Sequence, residues 1–235
     1  MNPTQCAVEA ITPLTPFVQR VLLRPEQPVT FLPGQYLQLC LTEQDKRPFS
    51  LACTPDSQLL ELHIGGSKAD EYSSQALNYL MQQQQAGQPV CIEGGLGQAF
   101  LRAERDNPIV LLAGGTGFSY IYSLAQALQQ QGQNRPVFLY WGVREESSLY
   151  LQQQLASWAS SQPGFRFIPV VQEPEASWQG RTGLVHQAVL DDFVSLDAYD
   201  IYIAGPFPMV GMARDAFLQQ GAHREQMFAD AFAYI

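Results

Sequence analysis

Several absences narrow this sequence before any motif is read. Its four cysteines, Cys6, Cys40, Cys53 and Cys91, never fall into a C-x-x-C spacing, so no iron–sulfur cluster is expected from them. They read instead as buried apolar thiols. His186 and His223 stand too far in sequence from His63, with too little cysteine or acidic company, to suggest a metal site with it, and none is expected. Basic residues are scarce: 13 Lys and Arg face 22 Asp and Glu, for a net charge of −9. Both halves share this bias, with 6 basic against 10 acidic residues up to Glu104 and 7 against 12 after it. Nucleic acid is therefore not an expected partner. No apolar run approaches the roughly 20 residues of a bilayer span, and the start of the chain has no basic stretch leading into an apolar one. The expectation is a soluble, cytoplasmic protein without a membrane span.

What is present is a globular composition, 46% hydrophobic and 15% charged over 235 residues, enough for one large domain or two of ordinary size. The first hundred residues carry short apolar or alternating runs at 7–11, 18–23, 35–41, 49–52, 59–64 and 89–93, separated by proline and glycine turns. Six strands so spaced suggest a small antiparallel barrel or sandwich. A helix is expected at 72–84, with Ala76, Leu77, Leu80 and Met81 on one face. After a charged stretch at 102–107 the pattern alternates. Strands are expected at 109–113, 137–141, 165–171, 201–204 and 227–233, and helices at 118–131, 148–160, 183–190 and 208–220. That is the signature of βαβ units around a parallel sheet. The expected division is a β domain at 1–104 and an α/β domain at 105–235.

The second half is organised around one turn. An apolar run, Ile109 to Ala113, breaks into Gly114, Gly115, Thr116 and Gly117, and Ile121, Leu124, Ala125 and Leu128 then repeat at helical spacing. A strand, a tight turn and a helix N-terminus follow from this. Such a terminus presents unpaired N–H groups, and glycines let a phosphate approach them. The usual dinucleotide fingerprint asks for a third glycine where Tyr120 stands, so a plain strand-to-helix turn is the competing reading. Ligands in such sheets bind at the carboxyl ends of the strands. There the sequence also gathers Gly142-Val143-Arg144 and Gly205-Pro206-Phe207-Pro208, which favours a dinucleotide. Arg144 is suited to a 2′-phosphate, but Glu145 and Glu146 follow it, so NADH and NADPH both remain open, as does a merely solvated arginine.

In the first half, Asp45-Lys46-Arg47-Pro48-Phe49-Ser50 sends a charged turn into a strand, with Pro48 at its first residue or on an edge. This places Arg47 at the rim and Ser50 within the sheet. Taken alone the two read as a surface arginine and a strand serine. Beside a nicotinamide domain they become a cation and an N5 donor for a flavin.

Arg47-Pro48-Phe49-Ser50 and Gly114-Gly115-Thr116-Gly117 resemble the flavin and nicotinamide motifs of the ferredoxin-NADP reductase family. The resemblance extends nearly end to end, through Glu61 to Gly65, Asp200 to Gly205 and Asp230 to Ile235, and is nearest to members that use flavin as a substrate. It implies a Greek-key antiparallel barrel for flavin and a Rossmann-like parallel sheet with flanking helices for the nicotinamide. It also implies that Tyr36, Arg47, Pro48, Phe49, Ser50, His63, Ile64 and Gly65 surround the flavin. Gly114, Gly115, Thr116, Gly117, Phe118, Arg144, Gly205, Pro206 and Met209 would take NAD(P)H. Ser73 and Ser74 open the first helix, where relatives with tightly held flavin bind its phosphate, and no cysteine stands at 204 or 205, where many relatives carry one. Phe232 and Tyr234 border the flavin or simply pack.

The resemblance implies an NAD(P)H:flavin oxidoreductase that passes hydride from nicotinamide C4 to N5 of FMN, FAD or riboflavin, with Ser50 orienting N5. Reduced flavin then goes to oxygen, ferric complexes or a flavin-dependent monooxygenase. A flavin-loaded component feeding a protein acceptor shares every motif, and a non-catalytic nicotinamide sensor shares the glycine turn.

Overall fold

The computed structural model describes residues 3–66, 70–132 and 135–235. They form two compact units, Met1–Leu101 with Tyr122–Gln130, and Arg102–Ile121 with Gln131–Ile235.

In the first unit β1 (Thr4–Thr15) turns into β2 (Val18–Pro25), with the Thr15 Oγ1 accepting from the N–H groups of Phe17 and Val18. Then come β3 (Tyr36–Cys40), β4 (Lys46–Ser50), β5 (Leu60–Gly65), α1 (Glu71–Ala86) and β6 (Val90–Leu96). The strands make one antiparallel sheet in the order β4-β3-β6-β1-β2-β5, whose crossovers are those of a Greek key. Its two edges meet where the Ala52 N–H donates to the Glu61 carbonyl at 2.8 Å, curling the sheet into a barrel. Val21, Leu37, Leu39, Leu62 and Ile92 fill it, joined by Ala76 and Leu80 from α1. That helix is bounded by the Asp70 carboxylate, which accepts from the Ser73 N–H, and by Gly87 at φ 62°. Pro48 lies on the edge strand β4, where its missing N–H costs no ladder bond.

The second unit begins with β7 (Ile109–Gly114), buried along its whole length, followed by a 3₁₀ turn at Gly115–Gly117 and by α2 (Phe118–Gln130). It continues through β8 (Val137–Val143), α3 (Gln152–Ser161), β9 (Phe165–Val171), β10 (Arg181–Thr182), α4 (Val185–Asp192), β11 (Asp200–Ala204), α5 (Phe207–Gln219) and β12 (Met227–Phe228). All pairs are parallel and the order is β10-β9-β8-β7-β11-β12. The chain moves outward from β7 through β8 and β9 and returns to its other side at β11. The crevice between the carboxyl ends of β7 and β11 is thus the switch point of the sheet.

Several elements differ from the sequence pattern, β1 among them, which runs over Thr4–Thr15 where 7–11 is expected. The strand expected at 49–52 is β4, which starts three residues earlier and ends at Ser50; the Leu51 N–H still reaches the Gln35 carbonyl in the β3 register, and the Ala52 N–H turns to the Glu61 carbonyl. The strand expected at 227–233 stops after two residues, paired with Ile201 and Tyr202 of β11, and Asp230–Ala233 forms a 3₁₀ turn. The helix expected from 148 starts at Gln152, after a separate 3₁₀ turn at Glu146–Ser148. Finally, the two-residue β10 is short and exposed, and left no pattern to read.

Candidate active site

At the switch point the glycines allow contacts that side chains would block. A Cβ on Gly117 would lie 2.6 Å from the Ala204 carbonyl carbon and the Gly205 nitrogen. One on Gly205, at φ +152°, would lie 3.1 Å from the Gly114 Cα and 2.8 Å from the Met209 Cε. The turn after β7 and the turn after β11 are therefore packed backbone to backbone, with the Met209 thioether over Gly114. Gly115 is different: it has φ +55°, and nothing lies within 4 Å of the position a Cβ would take. Space for a ligand opens there, beside the start of a helix.

Trp141 supports this turn from β8. Its indole Nε1 donates to the Gly115 carbonyl at 3.0 Å, and its ring stacks on Phe118 at 3.7 Å and 9°. Both rings are fully buried. Phe118, expected among the NAD(P)H residues, can therefore meet a ligand only through its backbone. Pro206 is exposed and Met209 half-buried, at the start of α5. Asp200 at the foot of β11 is fully buried and accepts from Arg105 at 2.9 Å and Asn107 at 3.2 Å, which fixes the strand that carries Gly205. Arg144 follows β8, is exposed, and donates from Nε to Glu173 Oε1 at 2.9 Å.

In the barrel unit, Ser50 ends β4 directly opposite Tyr36 on β3. Ser50 is half-buried, and among the described residues no protein group hydrogen-bonds to its hydroxyl. An unused donor on a sheet edge is available to a ligand. Phe49 and the exposed Pro48 sit beside it.

Arg47 is not at the rim, as its charged neighbourhood suggested, but buried. Its Nε and Nη2 donate to Asp45 at 2.9 and 2.8 Å, Nη2 also to the Gln75 Oε1 at 2.7 Å, and Nη1 to the Tyr72 carbonyl at 2.6 Å. The guanidinium also lies 4.8 Å from the centre of the Tyr72 ring. The residue thus clamps the first turn of α1 to β4, and its hydrogen bond to Asp45 holds that carboxyl below its usual pKa. Ser73 at the same helix end is buried, with its N–H already capped by Asp70. These partners come from one turn and one helix. Asp45, two residues before Arg47, was the one signal in the sequence that could have revealed the pairing.

His63 and Ile64 are buried, and the His63 side chain is 0% exposed. The His63 Nε2 meets Glu61 Oε1 at 3.0 Å while Arg20 donates to Glu61 Oε2 at 2.7 Å, and the imidazole stacks on Tyr122. The ring is therefore locked by Glu61, and only the backbone of this strand can face a ligand. Gly65, at φ +131°, is demanded by the fold itself, since a Cβ would lie 2.0 Å from the Phe17 carbonyl oxygen. Burial alone would raise the Glu61 pKa, but the bonds from His63 and Arg20 outweigh it and leave it below its usual value. A carboxylate lowered in the folded state adds stability above its unfolded pKa and loses it as pH falls through the folded one. Glu61→Gln is expected to cost about 2 kcal/mol at neutral pH. In urea melts the gap from wild type should close as the pH drops below about 4.5; a gap independent of pH would remove Glu61 from this role.

Trp141, Gln75 and Glu173 do not stand out as site residues in the sequence, because each acts through a partner distant in the chain. Among the described residues no group of three or more His, Cys, Asp or Glu is placed to hold a metal, and no helix is long and apolar enough to cross a membrane.

An antiparallel Greek-key barrel and a parallel sheet with a glycine turn at its switch point together define a nucleotide-dependent oxidoreductase of the ferredoxin reductase type. The model of the oxidoreductase NAD-binding domain matches residues 111–215. The ferredoxin reductase of a carbazole 1,9a-dioxygenase superposes with a TM-score of 0.82 at 28% identity, over 98% of this chain and 69% of that one. The chain is 43% identical to an NAD(P)H-flavin reductase of Vibrio harveyi, covering 98% of this chain and 99% of the relative. It is 42% identical to an NAD(P)H-flavin reductase of Aliivibrio fischeri, covering 99% and 100%. The chain belongs to the NAD(P)H-flavin reductase family.

Proposed function

We propose that this protein reduces riboflavin, FMN or FAD with NADH or NADPH, taking the flavin as a substrate that enters and leaves. Residues 1–104 serve as the flavin domain and 105–235 as the NAD(P)H domain. The nicotinamide supplies a hydride from C4, and flavin N5 accepts it. Ser50 donates a hydrogen bond toward N5, while Tyr36, Pro48, Phe49 and the backbone of 63–65 border the ring. Gly114 to Gly117 accept the pyrophosphate at the open face of Gly115, and Gly205, Pro206 and Met209 flank the nicotinamide. The fit rests on that open face and on the unpartnered Ser50 hydroxyl.

The observation that carries flavin exchange, as opposed to permanent binding, is Arg47. Its charge is engaged by Asp45, Tyr72 and Gln75, and the helix terminus beside it is capped by Asp70 and followed by Glu71. Negative side chains there compete with a flavin phosphate for the positive end of α1. The recognised part of the ligand is then the isoalloxazine and its sugar chain. We place the reaction in the cytoplasm, where reduced flavin passes to oxygen, ferric complexes or a flavin-dependent monooxygenase.

Purified protein should be nearly colourless and should oxidise NADH or NADPH when riboflavin or FMN is added, read at the nicotinamide absorbance band. No oxidation with any flavin overturns the enzyme reading. A yellow protein carrying one flavin per chain overturns flavin exchange and favours a loaded reductase.

A further inference from the structure

Beyond the end of β8 the ladder with β9 continues for two more hydrogen bonds. The Gln172 N–H donates to the Val143 carbonyl at 3.0 Å, and the Glu173 N–H to the Arg144 carbonyl at 2.8 Å. This extension brings Arg144 and Glu173 side by side at the carboxyl edge of the sheet, where their side chains pair at 2.9 Å while remaining 72% and 58% exposed. The strand next to the glycine-turn strand is where a dinucleotide fold meets the adenosine ribose. An arginine there suits a 2′-phosphate, and a carboxylate suits a free 2′-hydroxyl. Here the two stand together, and each is the partner of the other. Glu145 and Glu146 follow Arg144 directly in the chain, adding two acidic residues to this turn.

We propose that Glu173 sets the nicotinamide preference: by holding Arg144 it keeps the guanidinium from a 2′-phosphate and places its own charge against that phosphate, so that NADH is favoured over NADPH. The assignment rests on the reading that Gly114 to Gly117 bind the pyrophosphate. An exposed ion pair is weak, so Arg144 is held but not fixed, and neutralising its partner frees it without repacking. Discrimination then comes from a repulsive element built against the competing ligand.

The test compares kcat/KM for NADH and NADPH, with riboflavin as acceptor, in wild type, Glu173→Gln and Arg144→Ala/Glu173→Gln. Glu173→Gln is expected to raise kcat/KM for NADPH by about tenfold and leave that for NADH within about twofold. The gain should shrink at high salt, as an exposed charge effect must, and should vanish in the double variant. An unchanged NADPH-to-NADH ratio overturns the assignment. So does a loss confined to NADH, which would make Glu173 a ribose ligand. A wild type that oxidises neither nucleotide overturns the underlying flavin reductase reading instead, so the two failures are distinguishable.

Discussion

Ser50→Ala is expected to lower kcat for NADH-driven riboflavin reduction by about a hundredfold while leaving the flavin KM within about threefold. The structure makes this a clean experiment. Ser50 is a half-buried residue at the end of the edge strand β4, and its hydroxyl has no partner in the protein among the described residues. Deleting it orphans nothing, so stability should move by less than about 0.5 kcal/mol. A donor aimed at the reacting nitrogen matters more as charge develops there than in the ground state, which is why turnover falls and binding does not. A variant with unchanged kcat would take Ser50 out of the reaction, and one that loses only flavin affinity would make it a binding contact.

Gly117→Ala should have the second large effect, and Gly115→Ala separates its causes. At 117 the new methyl would fall 2.6 to 2.7 Å from backbone atoms of Ala204 and Gly205, which cannot yield as a side chain tip can. The two turns must part, at a cost of about 3 kcal/mol in stability and with the KM for NADH raised more than about tenfold. At 115 a methyl meets open space, and only the left-handed φ of +55° is strained, for about 1 to 2 kcal/mol. If the open face of Gly115 receives the pyrophosphate, Gly115→Ala raises the NADH KM with this smaller loss of stability. A Gly115→Ala variant with wild-type KM would move the phosphate away from this turn.

The legible parts of the sequence were those in which one segment carries its own pattern. Ile109 to Ala113 is apolar throughout because β7 is buried on both faces of the sheet, and the glycines after it mark a close approach. The missing third glycine was no obstacle, since Tyr120 is simply buried in α2. Arg47 shows the opposite case. Its neighbours Asp45 and Lys46 made it look like a surface cation, yet its other partners, Tyr72 and Gln75, lie on a helix more than twenty residues later. Resemblance alone associates His63 with the flavin, and burial with Glu61 and Arg20 leaves that strand only its backbone to offer. Pairings between elements, such as Arg144 with Glu173, are set by strand register, and a single chain does not display register.

The composition of the barrel unit has a consequence for how the chain comes to be folded. Ser123 donates from Oγ to the Cys53 carbonyl at 2.7 Å and accepts from the Gly34 N–H at 3.3 Å, and Gln126 Nε2 donates to the Ala52 carbonyl at 2.8 Å. These donors and acceptors belong to Tyr122–Gln130, which is grouped with residues up to Leu101 although β7 and the glycine turn intervene. A nascent chain that has emerged only as far as Leu101 holds every strand of the barrel but leaves those backbone groups unanswered. Translation must pass through the glycine turn and the helix behind it before these three hydrogen bonds of the first unit can form.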